Sequence, residues 1–202
     1  MNRFFNCISI IFHPIIVTTI GIALIVNWLL LSSTTSSLWL LYSLTVSYTI
    51  AMPLGIIMLG KSIGIIKSIW ANERRERQFC LVITIICLCF FDNVIKQWNT
   101  FGTVHTFIYG SIALMAMAFI INFFWHISLH AIGWGGLTAL VSYFSLYLPK
   151  LSLILGLVIV LSGLVGTARL YVKSHTPAQV FVGYAVGFVI IWSSFLLSTI
   201  LH

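Results

Sequence analysis

The chain has 202 residues, 60% of them hydrophobic and 6% charged, where a soluble domain carries about 25% charged residues. No single core of that size hides so much apolar surface, so lipid must be the solvent for most of the chain and a water-soluble fold is excluded. The net charge of +7 sets ten Lys and Arg against three acids, Glu73, Glu76 and Asp92. Cations scattered between apolar runs suit anchoring to anionic membrane lipids or capture of an anionic group, not nucleic acid.

The sequence reads as all-α, a polytopic transmembrane helix bundle of six to seven spans, drawn as seven apolar stretches in one domain covering residues 1–202. The first stretch starts at Pro14, a residue suited to a helix start, and runs to Leu31; Ser32 to Ser37 supply the following turn. The second, Leu38 to Gly60, is expected to bend at Pro53. Lys61 to Gln78 is the only long polar segment. The third stretch, Phe79 to Trp98, is the weakest, because Asp92 and Lys96 leave it thirteen uninterrupted apolar residues. A span needs about twenty. The fourth covers Thr103 to Phe124, the fifth Ala131 to Leu148, the sixth Leu151 to Ala168 and the seventh Pro177 to Leu201. Connections are short, so neighbouring helices are expected to be antiparallel. The apolar run behind Arg3 lacks a small-residue cleavage site and is expected to be retained.

Threading these stretches through a bilayer places three polar segments on one membrane face: Lys61–Gln78, Trp125–His130 and Arg169–Thr176. Of the ten cations, only Lys96 and Lys150 fall on the other face. Each Arg or Lys at the bilayer centre would cost about 3 kcal/mol, a cost avoided by keeping them at one rim. Three acids, two of them among arginines, are too few for magnesium or calcium, which take several oxygen ligands. No metal and no cofactor is expected, and Asp-rich prenyl transfer is excluded. Cys7, Cys80, Cys87 and Cys89 form no C-x-x-C pair and read as small hydrophobes.

Each polar segment has a structural and a chemical reading. In the first, Arg74 and Arg77 are three apart, so a helical turn puts two guanidinium forks on one face, where they suit phosphate oxygens or pair with Glu73 and Glu76. In the second, Ser128 either caps a helix or joins the free N–H groups of its start in holding an anion. His130 is an interfacial anchor or a proton donor. The third is the most specific. Thr176, Pro177 and Gln179 form a Thr-x-x-Gln capping box with proline at the first helical position, which leaves His175 just ahead of a helix N-terminus that attracts anions. A neutral imidazole beside a bound phosphate can attack phosphorus.

Arg169, five residues, then His175 resembles the third signature motif of the type 2 phosphatidic acid phosphatase superfamily, Ser-Arg-x5-His-x3-Asp. Ser128-Leu129-His130 is similar to its second motif, Pro-Ser-Gly-His. Lys67, six residues and Arg74 echo the spacing of the first, Lys-x6-Arg-Pro, with Arg75 where proline stands. The order of the motifs agrees, and Gly183-Tyr-Ala-Val-Gly187 also looks familial, as in a divergent bacterial branch. The resemblance implies that His175 is the nucleophile forming a phosphohistidine, that His130 protonates the leaving oxygen and later activates water, and that Arg169, Arg74, Arg77 and Ser128 hold the phosphate, with Lys67 a weaker carry-over. Gln179 departs from the family aspartate. It can fix the histidine tautomer but cannot stabilise imidazolium by charge, with Glu73, Glu76 and Asp92 as possible substitutes. The expected activity is metal-independent hydrolysis or transfer on a phosphorylated lipid or isoprenoid in a bacterial inner membrane. The alternative is a weak or inactive phosphatase-like protein that binds phosphorylated lipid. A transporter would want polar residues deeper in several spans than His105 and Asn122. Membrane orientation and oligomeric state are left open by the sequence.

Overall fold

A computed structural model describes residues 12–29, 35–68, 73–96 and 102–201, and all of its regular structure is helical. Residues 32–34 of the expected first turn, residues 69–72 of the polar segment, Arg3 and Cys7 lie outside the described residues. In chain order the helices are α1 (Pro14–Leu29), α2 (Thr35–Val46), α3 (Met52–Ser62), α4 (Arg74–Ile95), α5 (Gly102–Phe124), α6 (Leu129–Ser145), α7 (Ser152–Tyr171) and α8 (Pro177–Leu201). Helices α2 and α3 join through a π-turn over Ser47–Ala51, just ahead of the buried Pro53. Wider winding there accommodates a proline that would otherwise clash with the carbonyl one turn back.

Among the described residues, five helices are long and apolar enough to cross a membrane: Leu38–Ser62, Arg74–Ile95, Gly102–Phe124, Pro149–Tyr171 and Pro177–Ile200. The chain is therefore a membrane protein by length and composition. The remaining two expected stretches are shorter. Helix α1 has 16 residues and α6 has 17. At 1.5 Å per residue, α6 reaches about 26 Å, less than the hydrocarbon thickness of about 30 Å.

The weakest expected stretch gains its length at the polar end. Helix α4 begins at Arg74 rather than Phe79, because Glu73 and Glu76 form a reciprocal capping box there. At its other end the buried Asp92 is 2.6 Å from His105 Nδ1, accepts from Tyr109 Oη at 3.1 Å and pairs with Lys96 at 3.3 Å. A carboxylate with three partners is tolerated where a bare one is not.

Contacts divide the chain into two compact units, residues 19–124 and residues 1–18 with 125–202. In the first, Arg74 Nη1 donates to the Phe123 carbonyl at 2.7 Å, Asn122 Nδ2 donates to the Arg74 carbonyl at 3.3 Å and Arg77 Nη1 donates to Asn122 Oδ1 at 3.5 Å. These bonds tie the start of α4 to the end of α5, as the Asp92 cluster ties their opposite ends. Glu76 Oε1 also accepts from the backbone N–H groups of Lys67 and Ser68.

In the second unit α6 and α8 run parallel with backbones in contact. A Cβ on Gly183 would lie 2.9 Å from Ala131 Cβ and 3.0 Å from the Ser128 carbonyl oxygen; one on Gly187 would lie 2.8 Å from Gly136 N. One on Gly135 would lie 2.9 Å from Tyr184 Cα. Small residues at such spacing are how lipid-embedded helices gain dispersion contacts without a hydrophobic driving force. Helix α7 returns antiparallel, with Thr138 Oγ1 and Ser162 Oγ 3.1 Å apart and Tyr184 Oη donating to the Ser162 carbonyl. Tyr143, bonded to Thr199 at 2.6 Å and stacked on Phe195, closes the end away from His175.

Gly187→Ala is expected to destabilise the protein by about 1–3 kcal/mol through overpacking. Gly163→Ala, whose Cβ meets nothing within 4 Å, is expected to be neutral or to stabilise by about 0.5–1 kcal/mol. Thermal unfolding in detergent measures both.

Candidate active site

Helix α7 ends in a Schellman motif: Lys173 N–H donates to the Leu170 carbonyl at 3.0 Å, and Ser174 N–H to the Arg169 carbonyl at 3.2 Å. The left-handed position that closes such a motif is usually glycine. Here it is Lys173, with φ of 55°, a conformation costing about 1–2 kcal/mol in an L-residue. The sharp turn delivers His175 directly to the start of α8.

Both bonds of the expected capping box are present. Gln179 N–H donates to Thr176 Oγ1 at 3.4 Å, and Thr176 N–H donates to Gln179 Oε1 at 3.0 Å. The second bond fixes which way the amide points, since its NH2 would leave the Thr176 N–H facing another donor. The same Oε1 lies 3.1 Å from His175 Nδ1, and the His126 carbonyl oxygen lies 3.2 Å from it. Two acceptors facing Nδ1 require that nitrogen to carry the proton. In the neutral ring Nε2 therefore holds the lone pair, the state a nucleophile needs. His175 is 8% exposed, and its ring stacks on His126 with centroids 5.3 Å apart.

The Trp125–His130 segment meets the same end. Ser128 N–H donates to the Gln179 carbonyl at 3.4 Å. Ser128 caps α6, its Oγ accepting from Ala131 N–H at 3.4 Å, so the capping reading holds; the residue is fully buried. His130, in the first turn of α6, packs edge-to-face on His13, centroids 5.5 Å apart. Arg169 occupies the last turn of α7, and its charge reaches His13. Burial first, and Arg169 second, lower the His13 imidazole to about 4.

The starts of α1, α6 and α8 thus share one end of this unit with Arg169 and Lys173. Helix N-termini each present about half a positive charge, and residues 1–18 and 125–202 contain no Asp or Glu. An open groove of about 460 Å³ lies over this end, lined by Leu170, Lys173, Ser174, His175, Thr176 and Gln179 among others. That volume suits a head group of modest size. Among the described residues no three His, Cys, Asp or Glu side chains group as metal ligands.

Of the residues expected at a site, His175, His130, Arg169, Ser128 and Gln179 belong to this unit. Lys67, Arg74 and Arg77 belong to the other unit. There Arg77 is 6% exposed, and Lys67 pairs with Glu73 at 2.9 Å, a hydrogen bond that raises its ammonium above the ordinary lysine range. The three acids, each a possible partner for the histidine on sequence grounds, are engaged elsewhere: Glu73 and Glu76 in the α4 cap, Asp92 with His105. Two participants were not singled out from the sequence. His13 directly precedes Pro14 at the start of α1, whereas Thr176 separates His175 from Pro177. His126 contributes its backbone carbonyl, for which no side-chain signal exists. No protein-family model, curated protein or solved structure matches the chain.

Lys173→Gly is expected to stabilise the protein by about 1 kcal/mol by relieving the left-handed turn. Gln179→Ala is expected to cost about 1 kcal/mol through loss of the cap, and Gln179→Glu to retain it. Denaturation in detergent distinguishes the three.

Proposed function

We propose that the chain is an integral membrane phosphatase or phosphotransferase acting on a phosphorylated lipid or isoprenoid through a phosphohistidine at His175. On this reading it is a divergent member of the type 2 phosphatidic acid phosphatase superfamily, crossing a bacterial cytoplasmic membrane six to seven times. The observation that carries the reading is the pair of oxygen acceptors on His175 Nδ1, which keeps the proton there and leaves the lone pair on Nε2, in a residue that lines the groove at the end where three helix starts and Arg169 gather.

The chemistry runs in two displacements. His175 Nε2 attacks phosphorus, the bond from phosphorus to the lipid oxygen breaks, and that oxygen takes a proton from the His130 imidazolium. Ring charge created on His175 is met at Nδ1–H by Gln179 Oε1 and the His126 carbonyl, two neutral oxygens where a carboxylate would do more. Arg169, the Ser128 hydroxyl and the helix-start N–H groups stabilise the equatorial oxygens of the transferring group. In the second displacement His130 takes a proton from water, the hydroxyl attacks phosphorus, the P–N bond breaks and phosphate leaves. An acceptor alcohol in place of water gives transfer. The substrate chain stays in lipid while the head group reaches the rim, so the reaction needs no extraction from the membrane.

The neutral Gln179 favours one second reading, a phosphate-lipid binder with little turnover. Purified protein is expected to release phosphate from lipid phosphates in EDTA, and His175→Ala to lower that rate by at least about 10³-fold. Gln179→Glu is expected to raise turnover about tenfold, because its carboxylate stabilises imidazolium at the same reach. Binding of lipid phosphate without release in either protein would select the second reading.

A further inference from the structure

The cations where α3 gives way to α4 take no part in the displacement chemistry proposed for His175. Helix α3 ends in a Schellman motif of its own: Gly64 N–H donates to the Lys61 carbonyl at 3.1 Å, and Ile65 N–H to the Gly60 carbonyl at 2.9 Å. Gly64, with φ of 79°, holds the left-handed position. The turn is tied down from two sides. Ile66 is buried, and Phe79 of α4 lies against Gly60, where an added Cβ would come within 3.1 Å of the ring. Glu76 Oε1 accepts from the Lys67 and Ser68 N–H groups at 2.8 and 3.0 Å. What the turn presents outward is of two kinds. Ile63 and Ile65 are 70% and 60% exposed, and the exposed Lys61 and Lys67 flank them. Arg75, one helical turn ahead of Phe79 on the same face of α4, is exposed as well.

We propose that this ledge binds anionic phospholipid: Lys61, Lys67 and Arg75 engage phosphodiester head groups of the surrounding leaflet while Ile63 and Ile65 enter its acyl region. Such binding is independent of any phosphohistidine chemistry. From Lys61 to Arg77 five cations stand against two acids, a net charge of +3. At the opposite ends of α4 and α5 Lys96 is matched by Asp92. The five cations divide by task. Arg74 and Arg77 donate to the Phe123 carbonyl and the Asn122 side chain, which fastens α4 to α5. Lys67 keeps an exposed ammonium beside Glu73, 2.9 Å away. Lys61 and Arg75 have no hydrogen bond or ion pair among the described residues. A turn in water would not hold out two isoleucines between lysines, and a turn in hydrocarbon would not carry the lysines. The boundary satisfies both, because long cationic side chains reach from an apolar level to the phosphates. A guanidinium takes two phosphate oxygens at once and an ammonium adds a point charge. The Schellman bonds and Glu76 fix the backbone beforehand, so binding orders side chains alone. Free phosphate shares the charge but not the acyl chains that the isoleucines would meet.

Full-length protein in a zwitterionic detergent, titrated with phosphatidylglycerol or with phosphatidylcholine and read by native mass spectrometry, reports how tightly each lipid is retained. Phosphatidylglycerol is expected to bind at least about tenfold more tightly at low salt, and the preference to shrink at high salt. Lys61→Gln and Arg75→Gln are each expected to weaken phosphatidylglycerol binding about fivefold, and together about 25-fold, while Lys61→Arg retains it. Both side chains are exposed, so the variants are expected to unfold at the wild-type temperature when no lipid is added. Lys150→Gln, which removes one cation from the other unit, is expected to leave the affinity unchanged. Equal affinity for the two lipids overturns the proposal, as does a loss in Lys150→Gln as large as that in Lys61→Gln. Displacement of phosphatidylglycerol by equimolar inorganic phosphate overturns it too, since the acyl contacts would then count for nothing. Phosphate release from a lipid phosphate is expected to be unchanged in the Lys61→Gln, Arg75→Gln double variant. A fall in release with undiminished phosphatidylglycerol binding would assign these cations to the substrate and overturn the proposal. Protein that selects phosphatidylglycerol but releases no phosphate would refute the enzyme reading and not this one.

Discussion

Helices α6 and α8 lie backbone against backbone because Gly135, Gly183 and Gly187 leave nothing between them. In lipid the apolar side chains of a helix gain little by leaving acyl chains for one another, so a close approach must come from dispersion and polar contacts between main chains. Everything at the proposed site follows from that approach and its direction. The two helices are parallel, so their starts, each carrying orphan N–H groups, arrive at one end together. Ser128 then reaches the Gln179 carbonyl, and the His126 carbonyl reaches His175. An antiparallel pair would have put an imidazole beside a helix C-terminus, where carbonyls face the reacting group and anions are disfavoured.

The turn that brings α7 into α8 adds the second constraint. Its left-handed position is held by lysine at a cost glycine would not incur. A residue in such a conformation persists when its surroundings determine it, and here the two Schellman bonds and the following cap do so. The strained position closely precedes the nucleophile candidate, and Lys173 lines the groove. Gln179 Oε1 serves both the helix cap and the imidazole, while a main-chain carbonyl from a distant segment supplies the second acceptor.

Local features were legible in the sequence and tertiary ones were not. The Thr-x-x-Gln box spans four residues and depends only on helix-start geometry, so expectation and structure agree there. Near Pro53, where a bend was expected, the helix carries a π-turn over Ser47–Ala51. The start of α4 was not legible: Arg74 to Gln78 are polar and lie outside the apolar stretch drawn from Phe79, yet Glu73 and Glu76 cap one another and extend the helix through them. Arg74 and Arg77 carry a phosphate-binding pattern, and the structure shows both also bonded to the end of α5. Composition cannot reveal such a tertiary task. The His13–His130 pair joins residues far apart in sequence, and its only local trace is a histidine before a proline.

The proposed chemistry stands on His175 presenting the lone pair of Nε2 to phosphorus. Rapid quenching of the protein with a radiolabelled lipid phosphate, followed by peptide mapping in alkali, tests this most directly. An acid-labile, alkali-stable label is expected on His175, decaying as free phosphate appears. Phosphate release with no trapped label, or a label on any other residue, would contradict it.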